Sequence, residues 1–109
     1  MITPEFTVSA QIDVVDIETI KAQGFKSLIC NRPDGEEINQ PEHAPILAAA
    51  EAAGLMVKNI PVFSGMLTRE NVTDMAAAIE ELPKPIFAYC RSGARCGQIF
   101  QYVEMAKNQ

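Results

Sequence analysis

A chain of 109 residues, 48% of them hydrophobic and 21% charged, is sized for one compact domain with a modest core and little surplus for a second module. Its formal net charge of -5 and sparse aromatic residues exclude the basic surface of a nucleic-acid binder or of a protein that docks on lipid headgroups. Cys30, Cys90 and Cys96, with His43 as the lone histidine, offer no Cys-x-x-Cys spacing and no even count, so neither a disulfide scaffold nor a structural metal or cofactor is expected.

In chain order, residues 5–9 read as a short edge strand, and Asp13 and Asp16 stand where an N-cap and a first-turn acid belong for a helix from about Val14 to Gln23. Gly24 closes that helix, and Phe25 to Cys30 form a mostly buried strand stopped by the turn Asn31-Arg32-Pro33-Asp34-Gly35. Asn39-Gln40-Pro41-Glu42 resembles a second helix start, with Ile46, Leu47, Ala50 and Ala53 at helical spacing, Gly54 as the stop, and within Leu55 to Val62 a strand that ends near Pro61. Thr68 caps a third helix carrying Val72, Met75, Ala76, Ile79 and Leu82. Pro83-Lys84-Pro85 leads into the strand Ile86 to Tyr89, and a last helix runs from about Arg95 to Lys107 with Ile99, Phe100, Val103 and Ala106 inward.

Strands alternating with helices of this length predict a three-layer α/β fold over residues 1–109, a central, mainly parallel sheet flanked by helices. Ala48 to Ala50 with Ala52 and Ala53 form a close-packing helix face, and Glu51 interrupts the longest apolar stretch before it could cross a bilayer. The opening Met1-Ile2-Thr3-Pro4-Glu5 has no basic segment followed by an apolar one, so a cytoplasmic protein without membrane or nucleic-acid partners is expected. Ligands of such sheets bind beyond the carboxyl ends of the strands, which gathers Asn31-Arg32, Val62 to Leu67 and Cys90 to Arg95 at one place.

The loop Cys90-Arg91-Ser92-Gly93-Ala94-Arg95 joins a buried strand directly to a helix. Its backbone N–H groups can converge near the helix N-terminus, a position that attracts anions and favours a thiolate over a thiol. Gly93 permits the backbone angles of a tight cradle, Arg95 offers a planar fork for an oxyanion, and Arg91 is expected to point outward. Cys90 and Arg95 are therefore the candidate catalytic pair, with Arg91, Ser92, Gly93, Ala94 and Cys96 as candidate oxyanion-binding residues and a small oxyanion as the ligand.

Other polar residues carry blander readings. Cys96 reads as a small, semi-buried residue in a first helical turn that could weakly support Cys90 or pair with it in a disulfide. Cys30 reads as a small core hydrophobe with a resolving role held open. Arg32 reads either as a turn residue in an Arg–Asp or Arg–Glu contact or as added positive charge for the pocket, Glu70 and Asp74 as first-turn acids that complement the helix dipole, and His43 as a surface residue.

Three stretches together carry a resemblance: Gly24-Phe25-Lys26-Ser27-Leu28-Ile29 with Asn31-Arg32-Pro33-Asp34-Gly35-Glu36, then Ile60-Pro61-Val62, then Tyr89-Cys90-Arg91-Ser92-Gly93-Ala94-Arg95. The chain resembles, over nearly its whole length, the phosphatase-like domain of the beta-lactamase-hydrolase-like family, a branch of the cysteine-dependent tyrosine and dual-specificity phosphatases. The resemblance implies a phosphatase-like fold, a nucleophile on Cys90 and an anion-binding arginine on Arg95. Two departures stand against it. Phosphatases of that superfamily place five residues between Cys and Arg, whereas here only Arg91, Ser92, Gly93 and Ala94 intervene, the spacing of single-domain rhodanese sulfurtransferases. Pro61-Val62-Phe63-Ser64-Gly65-Met66-Leu67 also lacks the aspartic acid that protonates a phosphatase leaving group.

Three functions follow. The first is a phosphatase-like hydrolase that passes through a cysteinyl-phosphate and takes a phosphorylated substrate. The second is a sulfurtransferase that forms a Cys90 persulfide from a sulfane-sulfur donor. The third is a non-enzymatic oxyanion-binding or redox-sensing module. Oligomeric state is left open.

Overall fold

The computed structural model describes residues 3–107; positions 1, 2, 108 and 109 of the expected domain lie outside them. Four strands form one parallel sheet: β1 (Phe6–Ser9), β2 (Ser27–Cys30), β3 (Met56–Asn59) and β4 (Ile86–Tyr89), in the spatial order β1-β4-β2-β3. The helices are α1 (Ile17–Ala22), α2 (His43–Ala52), α3 (Arg69–Glu81) and α4 (Ala94–Lys107). The registers Phe6↔Ile86, Ser27↔Ile86 and Ser27↔Met56 align the strands so that their carboxyl ends share one rim.

Side chains alternate between the two faces of each strand and build two cores. Ile29, Ile86, Ala88 and Cys90 face Met75, Ala78 and Ile79 of α3 and Ile99, Phe100 and Val103 of α4. Leu28, Cys30, Phe87 and Tyr89 face Ile17 and Ile20 of α1 and Ile46, Leu47 and Ala50 of α2. The three-layer α/β arrangement read from the sequence is thus the fold. Two aromatic contacts close the layers, Phe6 stacked on Phe100 at 4.5 Å and Phe25 edge-on to Phe87 at 5.2 Å. Among the described residues no helix is long and apolar enough to cross a membrane.

Element boundaries depart from expectation where side chains intervene. The first helix opens with a 3-10 turn over Val14–Asp16, closed by a capping box in which Asp16 accepts from the Asp13 N–H at 2.8 Å. The second helix starts at His43, and the expected starters Asn39 to Glu42 do not cap it; Asp34, nine positions upstream, accepts the His43 N–H at 2.9 Å. The strand expected within Leu55 to Val62 is regular only over Met56–Asn59, because beyond it the ladder register breaks: the Asn31 side chain takes the Ile60 carbonyl and the Val62 N–H bonds to Asn31 O. The chain still follows β2, through Ile60 N–H to Cys30 O at 2.8 Å and Val62 N–H to Asn31 O at 2.9 Å.

Ala106, expected inward, is exposed, since the inward stripe of α4 ends at Val103. Of the alanine-rich face on α2, Ala50 is fully buried while Ala48 and Ala52 are exposed, because that helix contacts the sheet along one narrow stripe. Thr68 caps α3 as expected, accepting the Asn71 N–H at 3.0 Å.

Ile29 lies in the central strand with no solvent exposure. Ile29→Ala is expected to destabilise the protein by about 2–5 kcal/mol in urea unfolding, against a change within about 0.5 kcal/mol for the exposed Val15→Ala.

Candidate active site

The rim at the carboxyl ends of the strands holds the site. Strand β4 delivers Cys90 between β1 and β2, and both neighbours grip the loop that follows. The Cys90 N–H donates to Ser9 O at 3.2 Å, the Gln11 N–H to Arg91 O at 3.2 Å, and the Asn31 N–H to Tyr89 O at 2.8 Å. Gly93 adopts φ 93°, a conformation that L side chains rarely adopt, and a Cβ there would also lie 3.4 Å from the Ser9 carbonyl carbon. This bend turns the loop's amides inward and starts α4 at Ala94.

The inward amides meet at sulfur. Cys90 Sγ is fully buried and accepts the Gly93 N–H at 3.1 Å. The Cys96 thiol donates to the same sulfur and is the largest influence on its ionisation; burial opposes it, and the N–H groups of Cys96, Gly93 and Ser92 add to the Cys96 thiol's effect. Together they bring the Cys90 thiol down to about 5, so it is a thiolate at neutral pH. Cys96 is pushed upward by donating to Cys90 and by its burial, and it stays protonated as the donor. Expected to be semi-buried, it is completely enclosed, because it lies in the first turn of α4 on the face that meets the sheet.

Arg95 sits beside this thiolate with its side chain 11% exposed. Its Nη1 donates to Glu36 Oε2 at 2.7 Å and to Val62 O at 2.9 Å, and its Nη2 donates to Glu36 Oε1 at 2.7 Å. These contacts use the end of the guanidinium and leave the Nε–Nη2 edge as a second fork for an oxyanion. Asn31 prepares one of the supports: its Nδ2 donates to Ile60 O at 2.9 Å and holds the segment that presents Val62.

Glu36 is the hub of a larger charge network. Arg32, only 3% exposed, donates from Nε to Glu36 Oε1 at 2.9 Å, from Nη2 to Glu37 Oε1 at 2.8 Å and from Nη1 to Gln11 Oε1 at 3.0 Å. Arg91 points outward as expected and contacts Glu37 Oε1 through Nε at 3.1 Å. Hydrogen bonds from Arg95 first, then Arg32, outweigh burial and hold the Glu36 carboxyl at about 2, well below the ordinary carboxylate range. A depression of about 440 Å³ over the loop is lined by Arg32, Glu36, Glu37, Ser64, Arg91, Ser92, Ala94 and Arg95. A larger groove of about 670 Å³, bordered by Leu67, Val72, Tyr102 and Met105, has no cysteine, histidine or carboxylate in its lining.

The structure therefore brings Cys90, Arg91, Ser92, Gly93, Ala94, Arg95 and Cys96 together with Arg32 and Ser64 from the segments expected at the same rim, and adds Glu36 and Glu37. Glu36 and Glu37 carried only a faint sequence signal, two acids directly after the turn that ends β2. Other candidates fall elsewhere. Cys30 packs in the core across the sheet from Cys90, its thiol donating to Arg32 O at 3.3 Å, which removes it from a resolving position. His43 pairs with Asp34 at 2.7 Å, and Asp74 borders a separate depression with Lys58 and Asn71.

Titration of the thiolate absorbance, corrected with Cys90→Ser, is expected to give a midpoint near 5, and Cys96→Ala to move it toward the ordinary thiol value of 9.0. The folded value lies below the unfolded one. The thiolate's stabilisation is therefore fully present above about pH 9 and is lost as pH falls through about 5. Thermal melts across that range should show a slope in the parent that flattens in Cys90→Ser.

Comparison with known proteins gives this geometry its kinship. Residues 1–106 match the family model described as beta-lactamase hydrolase-like protein, phosphatase-like domain. Beta-lactamase hydrolase-like proteins of Agrobacterium fabrum and Xylella fastidiosa are 37% and 30% identical over 86% and 95% of this chain, which spans only 22% and 24% of their lengths. A solved candidate phosphatase from Neisseria meningitidis superposes with a TM-score of 0.89 at 32% identity, covering 100% of this chain and 78% of that one. The core catalytic domain of the PP-IP phosphatase SIW14 from S. cerevisiae shares the fold, with a TM-score of 0.74 at 15% identity over 100% of this chain and 65% of that one. A buried cysteine between two strand ends, an arginine on the next helix turn and this match along the chain together place the protein in the family of beta-lactamase hydrolase-like phosphatase-like domains.

Proposed function

We propose that this phosphatase-like domain hydrolyses phosphorylated substrates with Cys90 as nucleophile. The observation that carries the reading is Cys90 Sγ buried near the start of α4 and accepting the Gly93 N–H at 3.1 Å, where the Cys96 thiol and neighbouring N–H groups favour a nucleophilic anion at neutral pH. In the first step the thiolate attacks phosphorus. Arg95 holds two non-bridging oxygens through its free Nε–Nη2 edge, and the loop from Arg91 to Cys96 supplies the rest of the cradle. In the second step water attacks the cysteinyl-phosphate and returns the thiolate. Cys90 is buried, so contact with substrate requires the exposed lining residues Arg91 and Ser92 to give way.

Sulfur transfer is the second reading, favoured by the loop of four residues between Cys90 and Arg95. There the thiolate takes the sulfane sulfur of thiosulfate, releasing sulfite, and passes it from the persulfide to cyanide as thiocyanate. A smaller cradle suits a persulfide, but the match along the whole chain is to phosphatase-like domains.

Purified protein assayed with 4-nitrophenyl phosphate, and separately with thiosulfate and cyanide, decides between them. Phosphate release that disappears in Cys90→Ser and falls by about 10²-fold or more in Arg95→Ala is expected. Thiocyanate formation without phosphate release would transfer the assignment to sulfur. No turnover of either, with sulfate still raising the melting temperature, would leave an oxyanion-binding module.

A further inference from the structure

The chemistry of the leaving group is written in how the site's two carboxylates are held. Glu36 accepts from two guanidiniums, with Arg95 at 2.7 Å through both of its oxygens and Arg32 at 2.9 Å. Glu37 Oε1 lies between Arg32 at 2.8 Å and Arg91 at 3.1 Å. Glu36, engaged through both oxygens, only accepts hydrogen bonds, and Glu37 stands as an acceptor between two arginines on Oε1. The remaining side-chain O–H donors in the lining are the alcohols of Ser64 and Ser92, which are no more acidic than an alkyl alcohol leaving group and so give it no effective general-acid assistance. His43 lies outside the lining and is engaged by Asp34.

Three arginines against two carboxylates leave the same depression net positive. Arg32, Arg91 and Arg95 line it together, and Arg91 projects at the rim with its side chain 67% exposed. Such a site can lower the energy of a departing anion by electrostatics even though it cannot protonate it.

Resting on the assignment of Cys90 as the phosphoryl acceptor, we infer that the site acts on activated phosphates, namely phosphoanhydrides, acyl phosphates and aryl phosphates, whose leaving group departs as an anion without receiving a proton. As the S–P bond forms, the P–O bond breaks and its electron pair stays on the leaving oxygen, which passes out beside Arg91. Water then attacks the cysteinyl-phosphate. The S–P bond breaks with its electrons returning to Cys90, and both hydrogens of the water remain on the released phosphate.

The test is phosphate release by the purified protein from acetyl phosphate, 4-nitrophenyl phosphate and a phosphoserine peptide, each corrected with Cys90→Ser. The first two should turn over, and the phosphoserine peptide should be slower by about 10²–10⁴-fold, the usual worth of the missing acid. Cleavage of phosphoserine within about tenfold of the aryl ester would overturn the inference while leaving the phosphatase assignment standing. A basic limb in kcat/KM that vanishes in Glu37→Gln would identify Glu37 as a proton donor and overturn it as well. No Cys90-dependent release from any of the three would overturn the phosphatase assignment, and this inference with it.

Discussion

Everything at this site depends on keeping a negative sulfur inside a protein core. Cys90 is fully enclosed, and an isolated anion there would be prohibitively unstable. The fold meets that demand with donors rather than with a neighbouring cation in direct contact. A strand ends, the chain turns through the positive φ of Gly93, the Gly93 N–H donates to the sulfur, and the Cys96 thiol with the Cys96 and Ser92 N–H groups favours its negative charge. The bonds of Ser9, at the end of β1, to Cys90 and of Gln11, just beyond it, to Arg91 matter because they fix this bend from outside the loop. Strand order is therefore part of the chemistry: β4 lies between β1 and β2, so the cysteine emerges between two strand ends that can both hold it.

Charge is partitioned around that sulfur in layers. Closest are neutral donors; next is Arg95, with one fork committed to Glu36 and one edge open; outermost are Arg32, Glu37 and Arg91. Glu36 fixes where Arg95 points, and Arg32 fixes Glu36 in turn. The loop after β2 thereby sets the orientation of an arginine on α4. This division of labour explains how a cradle one residue shorter than that of ordinary phosphatases still has its arginine braced against the rim.

Much of this was legible along the chain because the parts were adjacent in it. The apolar run Ile86 to Tyr89, then cysteine, glycine and arginine, then a helical stripe, reads directly as strand, cradle and helix, and β4 has the expected ends. Features made by distant residues were hidden. Glu36 and Arg95 meet across 59 positions, and no local pattern reports such a pairing. The cap of α2 comes from Asp34 for the same reason, and the enclosure of Cys96 depends on the sheet beneath it. The end of β3 was hidden in the same way, since it is set by Asn31, whose side chain takes the Ile60 carbonyl from 29 positions away.

The central claim is that phosphorus is attacked by Cys90, and the intermediate itself is the most direct witness. Protein quenched in acid during turnover of acetyl phosphate, digested and analysed by mass spectrometry, should carry one phosphoryl group on the peptide containing Cys90, absent from Cys90→Ser. Turnover with no phosphorylated cysteine, or an adduct on another residue, would contradict the account.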